Sequence, residues 1–165
     1  MSRSSRELAA ILGEGALCAA LAVVLSKISL FEGPWGGSVD LELAPLIVFA
    51  WRRGPILGAC LGALGGAASG LVHQFVYSPA QALLDYPLAY ACTGLSAVER
   101  GDAGRVAGLA LACACQLACS VASGVLFFAE YAPPDQGPFV YSLIYNASIL
   151  VPKYILSGIV AWIFR

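Results

Sequence analysis

The stretch WRRGPILGACLGALGGAASGLV, residues 51–72, decides what kind of chain this is. Two arginines and a Gly-Pro pair open it, and the run from Gly54 to Val72 then carries no charge at all. An apolar run of about 18 residues is long enough to cross the hydrocarbon layer of a bilayer as a helix. Arginines at the edge of such a run mark the cytoplasmic side. Within the run, Gly54, Gly58, Gly62, Gly66 and Gly70 recur every four residues and share one slowly turning helical face. Small residues on one face let another backbone approach closely, so the spacing predicts internal packing of this helix against a neighbour.

Outward from this segment the rest of the chain has the same character. It is 59% hydrophobic and 12% charged, where a soluble domain carries roughly 25% charged residues. Apolar segments fall at Leu8 to Leu30, Leu41 to Trp51, Gly54 to Val72, Pro79 to Val98, Arg105 to Phe128 and Phe139 to Phe164. The second is about half the roughly 20 residues needed to span, so it is expected to tilt against neighbours or to continue into the extended residues before it. Arg3, Arg6 and Glu7 lead directly into a spanning segment, so no cleavable signal peptide is expected. Arg3, Arg6, Arg52, Arg53, Arg100, Arg105 and Arg165 alternate with the segments so that all fall on one side. The opposite loops, Phe31 to Asp40, His73 to Ser78 and Glu130 to Pro138, hold no lysine or arginine. The expected fold is an all-α membrane protein, a six-transmembrane-helix bundle with both termini cytoplasmic. No repeat or linker interrupts it, and residues 1–165 read as one domain.

Several function classes drop out. A formal net charge of -1 without a basic patch argues against nucleic acid. Cys18, Cys60, Cys92, Cys113, Cys115 and Cys119 lack the paired spacing of metal or redox motifs and read as small buried apolar residues, so no metal and no cofactor is called for. A single histidine and the absence of a Walker motif leave no machinery for an intramembrane enzyme or for ATP hydrolysis.

Polar and aromatic residues concentrate at the other side of the membrane in four stretches. GPWGGSVDLELAP, residues 33–45, offers Trp35 as a stackable surface among glycines. LDYPLAY, residues 84–90, places Asp85 and Tyr86 inside an apolar segment, where a carboxylate faces a cavity or pairs with a cation such as Lys153 or Lys27. Pro87 behind them bends the helix and frees a carbonyl. Ser120, Gly124 and Phe128 share a face at four-residue spacing, with the glycine making room for a flat molecule. Tyr141, Tyr145 and Asn146 crowd the start of the last segment, and the amide of Asn146 has the paired donor and acceptor that read a heterocycle edge. On the first segment Ala16, Ala19, Ala20 and Ala22 form a second small-residue face, with Ala16 and Ala20 as a small-xxx-small pair suited to contact with another protein.

At these stretches the chain resembles the thiamin-specific substrate-binding components of energy-coupling factor transporters. The likeness rests on the Trp-Gly-Gly-Ser loop, the Arg-Arg-Gly turn, Leu-Asp-Tyr-Pro, Ser-Gly-x-x-Phe-Phe, Tyr-Ala-Pro and Tyr-Ser-x-x-Tyr-Asn. The resemblance implies a high-affinity thiamin binder without enzymatic activity, which docks on a shared transmembrane subunit driven by two ATPase subunits. It implies ligand contacts by Trp35, Asp85, Tyr86, Ser120, Gly124, Phe128, Tyr141 and Asn146, and docking through Ala16 and Ala20. Two positions depart from the family pattern: Ser120 stands where a pocket histidine is usual, and Phe128 where a tryptophan is usual. Both changes reduce hydrogen bonding and stacking, which leaves open a thiamin precursor carrying only the pyrimidine, hydroxymethylpyrimidine. A structural or regulatory membrane subunit is the alternative from another class.

Overall fold

The computed structural model describes residues 3–34, 37–73 and 76–165, without the side chains of Arg3 and His73. Helix α1 covers Arg3–Leu25 and meets α2 (Leu43–Arg53) and α3 (Pro55–His73). Between α1 and α2 lies a hairpin of β1 (Phe31–Glu32) and β2 (Ser38–Val39), antiparallel with Phe31 opposite Val39. A broken fourth segment follows, made of α4 (Pro79–Leu83), a π-helical turn (Leu84–Leu88), α5 (Ala89–Ala91) and a 3-10 stretch (Cys92–Ala97). Helices α6 (Gly101–Phe127) and α7 (Pro138–Ile163) complete the six helical segments among the described residues.

Among the described residues four helices are long and apolar enough to cross a membrane: Ser4–Leu25, Pro55–Val72, Gly101–Phe127 and Pro138–Ile163. Their outward faces carry Leu12, Leu17, Leu64, Leu126, Ile144 and Ile155 exposed, the expected state of apolar side chains when hydrocarbon is the solvent. The six thiols are divided, with Cys18, Cys113 and Cys119 packed against the core. All are free, Cys60 is exposed and the others are half-buried, which corrects the expectation of buried cysteines. Lipid accepts a small apolar group as readily as a core does.

The short second segment needs no lipid face because it is the centre of the bundle. Leu43, Leu46, Ile47, Phe49 and Ala50 are all buried, with α1, α3 and α7 around them. Its 11 residues rise about 16 Å at 1.5 Å each, and the two-residue strand β2 precedes it.

The glycine ladder is filled from within. A Cβ at Gly58 would lie 2.9 Å from Ala50 Cα, one at Gly62 2.5 Å from Thr93 Oγ1, one at Gly66 2.7 Å from Tyr90 Cβ, and one at Gly70 2.8 Å from the Tyr86 ring. The fourth segment thus packs closely on α3 at Gly62, Gly66 and Gly70, and α2 does so at Gly58, whereas Gly54 precedes α3 with φ 93° and nothing within 4 Å and takes no part in the face. Pro87 lies inside the π-helical turn; lacking an N–H, it cannot close a regular helical turn, and the backbone widens around it.

The arginines collect at one end. Glu14 of α1 lies 2.9 Å from Arg52 Nη1 and accepts the Arg53 Nε–H at 2.6 Å. Arg165 pairs with Asp102 at 2.6 Å, and Arg105 lies 5.1 Å over the Trp51 ring. The inside of the bundle is polar towards the opposite end, where the hairpin lies.

Candidate functional site

A cavity of about 190 Å³ opens between the hairpin, the fourth segment, α6 and α7. It is small beside the roughly 300–1,000 Å³ of sites for drug-sized ligands, a size for a compact ring system.

The π-helical turn sets one wall by carrying Asp85 and Tyr86. The Asp85 Oδ2 atom accepts hydrogen bonds from Gln81 Nε2 at 2.6 Å and Ser123 Oγ at 2.8 Å. Gln81 is itself fixed, since its Oε1 accepts the Tyr77 N–H at 3.0 Å and its own N–H is capped by Ser78. Among the described residues no cation pairs with Asp85. The pairing of Asp85 with Lys153 or Lys27 is corrected, because Lys27 is exposed and Lys153 is held by two other carboxylates.

Of those carboxylates Glu42 lines the cavity, beside Lys153, and Asp40 lies behind them. Lys153 of α7 lies 3.2 Å from Asp40 Oδ2 and 2.5 Å from Glu42 Oε1, with side-chain exposures of 6%, 0% and 2%. Ser38 donates to Asp40 at 2.7 Å, the Glu42 N–H to Asp40 at 2.9 Å, and Ser69 and Tyr90 to Glu42. Every member is satisfied, the condition under which buried charge is tolerated. The network ties the hairpin's second strand to α7. Gly37 makes the approach possible, since a Cβ there would collide with Ile149 Cδ1.

The third wall is α6 against α7. Ser120, Gly124 and Phe128 all line the cavity, as their spacing implied. Gly124 works otherwise than expected: a Cβ there would meet Ser142 Cβ at 2.9 Å, so the missing side chain admits α7 instead of leaving space for a ligand. Ser142 donates to the Val121 carbonyl at 3.3 Å, and Asn146 Nδ2 donates to the Ser142 carbonyl at 2.9 Å. Asn146 is thereby oriented with its amide plane in the cavity wall. Tyr141 and Tyr145 lie near parallel, 6.3 Å apart, while Phe128 meets Tyr77 and Tyr131 at 6.0 Å each. These rings make the rim.

Of the residues singled out in the sequence, Asp85, Tyr86, Ser120, Gly124, Phe128, Tyr141 and Asn146 are brought to one cavity. Trp35 lies outside the described residues. The sequence reading missed Glu42, Gln116, Ser123 and Ser142, which also line it, and named Lys153, likewise in the lining, only as a partner for Asp85. A signal existed for two of them. Lys153 is a lone cation in a spanning helix, and Asp40 and Glu42 stand two apart before an apolar run, which puts both on one face of an extended chain. The small face of α1 is divided. Ala22 is buried and Ala19 packs on the core, whereas Ala16 and Ala20 are exposed on the outer side of the helix.

A bundle of helices long and apolar enough to cross a membrane, with a carboxylate, an amide, hydroxyls and rings converging on one small cavity, has the make-up of an integral membrane protein with an internal polar pocket. Its relatives make the class specific. The chain belongs to the family whose model is described as thiamine transporter protein (Thia_YuaJ), which matches residues 12–165. It is 31% identical over 164 residues to the thiamine transporter ThiT of Bacillus subtilis strain 168, covering 89% of this chain and 85% of that one. It is 28% identical over 165 residues to the thiamine transporter ThiT of Lacticaseibacillus paracasei, covering 89% and 82%. A solved structure of ThiT from Listeria monocytogenes superposes with a TM-score of 0.85 at 26% identity, covering 96% of this chain and 94% of that one. The protein is a multi-pass transport protein of the cell membrane, in a family of transporters and not of enzymes.

Proposed function

We propose that the chain, residues 1–165 acting as one domain, is the high-affinity thiamin-binding subunit of an energy-coupling factor importer. The observation that supports this best is Asp85: a carboxylate in a membrane cavity, held by two neutral donors and, among the described residues, by no cation, is suited to a cationic ring. Both hydrogen bonds fall on Oδ2, which leaves Oδ1 turned to the ligand. Asn146 reads the edge of the ring's nitrogens, Tyr86, Phe128 and Tyr141 contact its faces, and Ser120 and Gly124 complete the wall. Trp35 joins the set on the resemblance alone. The arginine-rich end faces the cytoplasm, along with both termini, so the cavity opens outward. Uptake then requires a shared transmembrane subunit and two ATPase subunits, met through Ala16 and Ala20.

Asp85→Asn tests the charge directly because it keeps the shape. A hydrogen bond to a charged group contributes about 1.5–3 kcal/mol, so the Kd for thiamin should rise roughly 10-fold or more. Calorimetry on the variant gives the Kd, and an unchanged value with a lowered Tm of the empty protein would reduce Asp85 to a packing role. Titrating hydroxymethylpyrimidine in parallel tells which ligand the site prefers: a precursor site binds it at least as tightly as thiamin and is indifferent to Asp85→Asn.

A further inference from the structure

The other end of the bundle holds a second, unrelated opening. A cleft of about 570 Å³ lies between the end of α2, the start of α3 and the start of α6, and its polar walls are Arg52, Arg53, Arg100 and Arg105 with Trp51 and Glu99. Four guanidinium groups there face two carboxylates, Glu99 and the Glu14 that Arg52 and Arg53 share. Positive charge is left over. Arg100 is exposed and makes no ion pair among the described residues, and Arg105 is held over the Trp51 ring at 5.1 Å. Trp51 is in turn fixed by its Nε1–H bond to the Ser96 carbonyl at 2.8 Å and by the edge of Trp162 at 5.9 Å.

Two long helices add to the same field. No acid stands in the first turn of α3, and the one acid in the first turn of α6, Asp102, is taken by Arg165. The dipole of α3 therefore adds to the positive field of the cleft, whereas that of α6 is offset in part by Glu99, since a Cβ at Gly104 in its first turn would lie 2.7 Å from Glu99 Cβ. Paired tryptophans are typical of the membrane interface, which sets the cleft at headgroup depth. Excess charge in planar, forked donors matches one phosphate group.

We propose that this cleft binds a phosphate group, carried either by an anionic glycerophospholipid of the adjacent leaflet or by a soluble phosphate compound. It is separate from the cavity of the proposed ligand and does not depend on it. Two guanidinium forks close on the phosphate oxygens from Arg100 and Arg105, while Arg52 and Arg53, braced by Glu14, supply the charge behind them.

The test uses the full chain in nanodiscs of phosphatidylcholine with a minor share of phosphatidylglycerol, examined by native mass spectrometry. One phosphatidylglycerol should be retained per chain in preference to phosphatidylcholine. Arg100→Gln with Arg105→Gln should cut that retention roughly tenfold, the effect of losing charge-assisted hydrogen bonds, while Arg100→Lys with Arg105→Lys keeps most of it. Far-ultraviolet circular dichroism verifies that the variants fold. Glycerol 3-phosphate and inorganic phosphate are added to the detergent-solubilised protein in a second arm: displacement of the lipid or a raised Tm identifies a soluble phosphate as the occupant, and no effect identifies the lipid. The proposal is overturned if neither phosphatidylglycerol nor soluble phosphate binds selectively. It is equally overturned if Arg6→Gln, on α1 outside the cleft, loses as much retention as the double variant, since the attraction would then be general.

Discussion

Placing tryptophan at both Ala16 and Ala20 is expected to abolish thiamin uptake by cells while the purified protein binds as before. Both alanines are exposed, one turn apart on the outer side of α1, whereas the inner side is set by Gly15, where a Cβ would lie 3.5 Å from the Phe49 ring, and by buried Ala22. Large side chains on the outer side meet lipid in the isolated protein and disturb nothing. In the assembled importer they would stand where a second helix must come close. Overpacking costs about 1–3 kcal/mol per site, so the two together should weaken docking by roughly 30-fold or more. Uptake of labelled thiamin and the calorimetric Kd are measured on the same variant. Normal uptake would remove α1 from the docking surface; loss of binding together with uptake would mean that the helix supports the fold instead.

Lys153→Met should produce the largest loss of stability. The substitution roughly keeps the volume but leaves Asp40 and Glu42, 0% and 2% exposed, without their cation. Removing one partner of a buried ion pair costs about 3–5 kcal/mol, and for a chain of this size each kcal/mol lowers Tm by roughly 2–4 °C. A drop of about 6–20 °C in the Tm of the ligand-free protein is therefore expected. Neutralising the carboxylates as well, in Lys153→Met with Asp40→Asn and Glu42→Gln, should recover part of it, because no buried charge is then left unpaired. A Tm within about 2 °C of the parent for the single variant would show that the charges are solvated and the network contributes little.

Much of this architecture was legible because the bilayer imposes simple rules. Long apolar runs locate α1, α3, α6 and α7, and the arginines sort the loops to one end, where Arg52, Arg53, Arg100 and Arg105 indeed meet. The glycines of α3 announce a close neighbour, though spacing alone does not say that the neighbour is the fourth segment. What escaped reading depends on pairing across long separations. Asp40 and Glu42 look like loop acids until Lys153, more than a hundred residues later, is brought against them. The role of Gly124 was inverted for the same reason, since nothing nearby in the chain reveals that Ser142 fills the space. The hairpin of β1 and β2 has only two residues per strand, too few for a period-2 pattern to register.

The central claim is that the cavity holds thiamin, and calorimetric titration of thiamin into the detergent-extracted protein tests it most directly. Saturable binding at one site per chain, weakened roughly 10-fold or more by Asp85→Asn, is the expected result. No heat and no change in Tm with thiamin, its phosphate esters or hydroxymethylpyrimidine would contradict it.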